Sequence, residues 1–338
     1  MSDPSRTPPK FMTDLFGWYS MTMLGLGSRT GLLDALGQGP GTVEEISARA
    51  GVDTRNCLEW LRALTAAGHV STADGLFALS AETTMVLGPE FPVDARAIIK
   101  FVSGTPDVVE QVAQAMYTGG GVESATYQQP YGEAVAEVNT PIYAAALVSE
   151  WIAGVPGLAE TLSNGGRVAD LACGNGGAAA LIATAFSRAH VVGYDLNAAV
   201  VNGAGLPANV ELRAADARAL PGGDQFDLVI CLDSLHHFGD PAVVIGQVHK
   251  VLNPAGVFLI AESGLTGDLA TDCANPFAAI VYSAGLLYCL QENLAAGGTG
   301  LTGGDGPRWI TDALATAGFG NISVTPSETG YNIITGTA

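Results

Sequence analysis

The side chains best placed to do chemistry lie between Arg167 and Asp195, in RVADLACGNGGAAALIATAFSRAHVVGYD. The apolar run Val168 to Leu171 predicts a buried strand, Ala172 to Gly177 a glycine-bearing turn, and the alanine-rich stretch a helix. A second strand then ends in Asp195. This is a βαβ unit, with its ligand crevice at the carboxyl ends of the strands. Asp170 sits where the first strand ends, and Gly174 and Gly176 let backbone approach a ligand with no Cβ in the way. Asp195 is placed to accept hydrogen bonds from ribose hydroxyls. An adenosine compound is the expected ligand.

Two adenosine cofactors compete. Gly174, Gly176 and Ala179 satisfy G-x-G-x-x-A, a dinucleotide spacing of low specificity on its own. Against a dinucleotide stands Asp170, whose carboxylate would face a pyrophosphate at the helix start. S-adenosyl-L-methionine carries no phosphate, and its ammonium and sulfonium suit an acidic site. The residues favour S-adenosyl-L-methionine.

Downstream come VELRAADARAL and FDLVICLDSLHHFGDPAVVIGQVHKVLNPAGVFLIAES. In order and spacing these segments resemble the class I S-adenosylmethionine-dependent methyltransferases. The resemblance implies an α/β fold: a Rossmann-like seven-stranded methyltransferase sheet behind an N-terminal α-helical and winged-helix domain. It implies that Asp170, Ala172, Cys173, Gly174 and Gly176 form the first cofactor loop and that Asp195 and Leu196 serve the ribose end. Asp216 and Ala217 would hold the adenine, and Leu232 and Asp233 would flank the methionyl part. Ala172 departs from the pattern, which more often has glycine there.

In related O-methyltransferases the segment aligned with SLHHFGDP carries a histidine that takes a hydroxyl proton. By position His236 falls on that histidine, and Glu262 on the glutamate that orients it. An imidazole suits this role because oxygen must lose its proton as it attacks carbon. His237 departs from the pattern, where an aspartate would stand. L-H-H-F-x-D-P also occurs in methyltransferases acting on carbon, so C- or N-methylation stays open. No nucleophile is needed, because methyl transfer from a sulfonium is a direct displacement.

The elements that must position these groups follow from the rest of the chain. At 338 residues, 48% hydrophobic and 14% charged, the chain is long and apolar enough for more than one buried core. We expect three parts: a helical and winged-helix dimerisation domain over 1–95, a helical connector over 96–160, and the cofactor-binding domain over 161–338, with an insert over 264–308. The T-x-x-E box at Thr42 and Glu45 opens one short helix, 54–67 forms a second, and Ala73-Asp74-Gly75 turns a hairpin. That is a winged helix, but the helix in its reading position, TRNCLEWLRALTAAG, has no basic stripe. Dimerisation is what the resemblance implies for it. Strands are expected near 168–171, 190–194, 209–213, 226–231, 256–261, 320–325 and 331–335. Pro92, Pro106, Pro130, Pro141 and Pro156 should punctuate the connector, whose aromatics include Tyr117, Tyr127, Tyr131, Tyr143 and Trp151. A helix near 275–296 and a glycine-rich loop, GGTGLTGGDG, should form the insert.

A net charge of −19 opposes nucleic acid and anionic membrane as partners. The five cysteines and scattered His69, His190 and His249 give no zinc or disulfide spacing, so no metal is expected. The start of the chain has no signal-like apolar core, and no run of about 18 apolar residues occurs. The expectation is a cytoplasmic homodimeric enzyme acting on a small molecule. A cofactor-sensing transcriptional regulator and a non-methylating enzyme of the same fold are the alternatives.

Overall fold

The structure, a computed structural model, describes residues 8–89, 91, 93–123, 126, 131–199, 201, 205–221, 223 and 225–338, without the side chains of 106, 107 and 131–133. The expectations placed on residues 1–7, Pro92, Tyr127, Pro130 and the side chain of Tyr131 lie outside the described residues. The chain divides into two compact units, Met1–Asp107 with Gln128–Val138, and Val108–Tyr127 with Asn139–Ala338.

In the first unit, helices Lys10–Arg29 and Leu32–Gly37 precede the helix pair Val43–Ala50 and Thr54–Ala66 and the hairpin β1 (Val70–Ala73) and β2 (Leu76–Leu79). Local chemistry sets these boundaries. Thr42 and Glu45 form the reciprocal capping box, Asp53 caps the next helix on Asn56, and Gly51 closes the first in the left-handed region. Leu33, Ile46, Cys57, Leu61 and Leu64 fill the core. The winged helix is present as expected.

The second unit holds a seven-stranded sheet: β3 (Arg167–Leu171), β4 (His190–Asp195), β5 (Val210–Ala214), β6 (Phe226–Leu232), β7 (Leu252–Ser263), β8 (Gly320–Pro326) and β9 (Tyr331–Thr337). Their order is β5-β4-β3-β6-β7-β9-β8. The first five are parallel, and β8 and β9 form an antiparallel edge hairpin. Separate apolar cores cover the two faces, one around Ile182, Leu228 and Leu259, the other around Val229, Phe258 and Ile310. A sheet buried on both faces explains why β3, β6 and β7 read as continuous apolar runs. Strand order reverses between β3 and β6, which places the ligand crevice at their carboxyl ends.

Two expectations need correction. Pro106 begins the helix Pro106–Thr118, where its missing N–H leaves no bond unmade, but Pro141 lies inside the helix Tyr131–Ala146 instead of ending it. The single helix expected near 275–296 is a broken series: Ala278–Ala284, a π-turn at Gly285–Cys289, and Leu290–Ala295, preceded by the short Leu269–Asp272. The wider turn breaks the 3.6-residue register and resets which side chains share a face. Among the described residues, no helix is long and apolar enough to cross a membrane.

Candidate active site

The turn after β3 is built from backbone conformations that favour glycine. Gly174 and Gly176 have φ of 54° and 84°, and Ala172 holds 55° despite its Cβ. Asp233, at the end of β6, is likewise left-handed at 50°. Non-glycine residues in this region are strained, and here both flank the point where strand order reverses. Behind the turn, a Cβ on Gly193 would lie 2.7 Å from the Cys173 sulfur, so the buried thiol packs against bare backbone. Burial pushes that thiol well up, which marks it as a packing residue.

Asp170 is buried, and one of its carboxylate oxygens has no hydrogen-bond partner. Burial raises it to about 7 against a lowering bond from the Ala179 backbone, with Asp195 adding repulsion. Asp195 accepts from the Gly174 N–H at 2.9 Å and the Asn197 N–H at 2.8 Å, tying the turn to the end of β4. Beside it Leu196 leaves an apolar side chain 74% exposed. Ala217 is buried. Asp216 binds the Arg218 guanidinium through both oxygens, at 2.7 to 3.1 Å, and that hydrogen bond lowers its pKa. Leu232 is buried at the end of β6.

Next to this turn, the pairing of β6 with β7 sets Leu232 opposite Ala261, and the Asp233 N–H donates to the Ala261 carbonyl at 2.7 Å. Glu262, the next residue of β7, is therefore beside Asp233. The short turn Leu235–His237 then brings the buried His236 ring back, with Nδ1 2.6 Å from the Glu262 carboxylate. Acceptor-capable atoms of Asp233, His236 and Glu262 lie within 4.8 Å of one another. Burial disfavours the charged ring, but the Glu262 carboxylate and the Cys289 thiol outweigh it and hold His236 well above its ordinary value. Asp240 lies outside this cluster and caps the helix Pro241–Val251.

Four further residues escaped the sequence reading. Asn139 and Tyr331 bond each other and reach the Asp233 carboxylate at 3.3 and 3.4 Å, and the Tyr331 ring packs against Tyr143 and Trp151. Cys289 hydrogen-bonds both His236 and His237; burial would raise this thiol, but the two rings lower it to about 6. Asn293, fully buried, donates to the carbonyls of His236 and Phe238 at 2.9 Å and accepts from Gly300 and Leu301. It pins the glycine-rich loop and the His236 turn to one helix. The available signal was Cys289, Glu292 and Asn293 at i, i+3 and i+4 in a largely apolar helix.

A strand-end acid, a left-handed turn at a reversal of strand order and a buried His–Glu pair define a methyltransferase-fold α/β protein with a winged-helix unit. Residues 162–299 match the family described as Methyltransferase domain, and residues 19–88 match the Rv2258c-like winged HTH domain. The chain thus carries both domains. It is 35% identical over 103 residues to a fatty-acid O-methyltransferase of Mycolicibacterium smegmatis, a match covering 29% of this chain and 38% of that protein. It is 40% identical over 109 residues to the 27-O-demethylrifamycin SV methyltransferase of Amycolatopsis mediterranei, covering 30% and 40%. The matched stretch thus spans less than half the length of these relatives. Human N-acetylserotonin methyltransferase, solved in complex with SAM, shares the fold at a TM-score of 0.70 and 18% identity, over 100% of this chain and 99% of that one.

Proposed function

We propose that this protein is a methyltransferase that moves a methyl group from S-adenosyl-L-methionine to a hydroxyl oxygen of a small-molecule acceptor. The observation that carries the reading is the buried His236–Glu262 pair beside Asp233, at the carboxyl ends of β6 and β7. The names of the relatives, O-methyltransferases of a fatty acid and of a rifamycin, point the same way and favour specialised metabolism.

The crevice fits the cofactor. Asp170 presents an unpartnered buried oxygen that calls for a cation, and the glycine turn leaves backbone bare around it. Asp170 and the turn 172–176, with Cys173 packed behind it, would hold the amino-acid tail. Asp195 with Leu196 would hold the ribose end, Asp216 and Ala217 the adenine, and Leu232 with Asp233 the methionyl chain. When bound, the cofactor supplies an electrophilic methyl on sulfur. Glu262 accepts a hydrogen bond from Nδ1–H of His236 and so fixes the tautomer in which Nε2, once the ring has lost its second proton and turned from Cys289, takes the acceptor's hydroxyl proton. Water exclusion by the insert and alignment of the reacting atoms supply the rest.

In this reading residues 1–95 serve dimerisation, 96–160 connect, and 161–338 carry the reaction, with 264–308 near the acceptor, in a cytoplasmic homodimer. The arginines of the winged helix are already engaged within the chain: Arg55 and Arg62 both pair with Glu59, and Arg49 bonds the carbonyls of Ala35, Gly39 and Pro40. That argues against a regulator.

The test is calorimetry with S-adenosylhomocysteine followed by labelled-methyl transfer to a panel of hydroxylated small molecules. His236→Ala should lower turnover by about 10²-fold or more and leave S-adenosylhomocysteine affinity unchanged. Wild-type turnover in that variant removes His236 from the mechanism, and a methyl on carbon or nitrogen in the product overturns the choice of oxygen.

A further inference from the structure

Two side chains that this mechanism does not use, His237 and Cys289, meet His236. The ligand-capable atoms of the three lie within 4.8 Å of one another, and the two imidazole centroids are 4.3 Å apart with a 41° tilt. Each ring is held from behind by a carboxylate on Nδ1, His236 by Glu262 at 2.6 Å and His237 by Glu292. With Nδ1 so engaged, Nε2 is the nitrogen left on each ring, and both rings hydrogen-bond the Cys289 thiol. A carboxylate on the far nitrogen of a histidine is the arrangement that orients imidazoles around a metal ion. Here it occurs twice around one sulfur.

We infer that His236, His237 and Cys289 form a site for one zinc-class divalent cation, with Glu262 and Glu292 holding the two imidazoles. Two nitrogens and a sulfur select a borderline-soft ion and disfavour magnesium and calcium, which take oxygen ligands. Bonds of about 2.0 to 2.3 Å place ligand atoms of a tetrahedral ion about 3.3 to 3.7 Å apart. Binding therefore requires side-chain rotation that closes the separations from their observed range of up to 4.8 Å. Three protein ligands leave a fourth position for water or an acceptor heteroatom. The ion would occupy the His236 nitrogen that otherwise accepts a proton, so metal and proton acceptance exclude each other. The inference does not rest on the proposed reaction, because its test reads metal binding.

The full chain, stripped with a chelator, is titrated with Zn2+ and then with Co2+ as the spectroscopic probe. We expect one Zn2+ per chain and, with Co2+, a thiolate-to-cobalt charge-transfer band in the near ultraviolet. Cys289→Ser should abolish the band, His237→Gln should weaken Zn2+ binding at least about tenfold, and Glu292→Gln by about 10- to 100-fold. S-adenosylhomocysteine binding checks that each variant folds. Should a variant fail that check, X-ray absorption of the zinc-loaded wild-type protein reads the ligands directly, one sulfur and two imidazoles being expected. Absence of saturable zinc uptake, uptake that survives both Cys289→Ser and His237→Gln, or a first shell of oxygen alone overturns the inference.

Discussion

Asp170 is the residue in which folding and the proposed ligand pull in opposite directions. Its buried, half-satisfied carboxyl is raised from about 3.8 to about 7 by burial, with repulsion from Asp195 and despite the Ala179 bond. In the free protein the unfolded chain ionises first. Folded-state stability is therefore lost as pH rises through that window. A cationic amino-acid tail prefers the ionised form, so its binding should have the opposite dependence. Affinity for S-adenosylhomocysteine should be full above about 7 and fall as pH drops below it, by at most about tenfold per pH unit, with proton release on binding. Calorimetry in buffers of different ionisation enthalpy measures both. Asp170→Asn should flatten the profile and weaken binding; a wild-type pH profile in that variant would assign the titration to another group.

At the scale of elements, Asn293 shows how the insert serves the site. One buried side chain makes four bonds, two to the carbonyls around His236 and two to the N–H groups of the glycine-rich loop. Asn293→Ala leaves those groups unpaired, the His236 carbonyl in a buried position and the others half-buried, at a cost of about 1–3 kcal/mol. We expect a fall of several degrees in melting temperature and a larger loss in kcat than in S-adenosylhomocysteine affinity. A variant with reduced melting temperature and unchanged kcat would mean that the His236 turn is held without it. The same region marks where the sequence stops being legible. The strands of the sheet and the winged helix announce themselves locally, through apolar runs, the Thr42–Glu45 box and the Asp74-Gly75 turn. The first cofactor turn does so too, because its glycines are consecutive with the strand they follow. The contact of His237 with Glu292 spans 55 residues and depends on a π-turn that breaks helical periodicity. No spacing rule reaches across such a gap, so the sequence predicts a helix near 275–296 but not the partners of its polar residues.

For the whole molecule, the balance between charge and apolar surface decides how copies of the chain should meet. The first helix, Lys10–Arg29, leaves Phe11, Trp18, Tyr19 and Leu26 exposed, at intervals of seven and eight residues that put them on one side. Three of these four are aromatic and more than half exposed, a surface that a lone soluble chain seldom keeps. Two copies of a chain bearing −19 repel one another, so association through this stripe must be apolar in origin and opposed by electrostatics. Added salt screens that repulsion and should tighten the homodimer, the reverse of its effect on a protein held to nucleic acid by phosphate contacts. Light scattering after gel filtration should give about twice the 34.4 kDa chain mass, with the dissociation constant falling as salt rises. Phe11→Glu with Trp18→Glu, which places two further carboxylates on the stripe, should return the mass to that of one chain. A wild-type protein that stays at one chain mass at micromolar concentration and high salt would end the dimer proposal, and a double variant that still dimerises would move the interface to another surface.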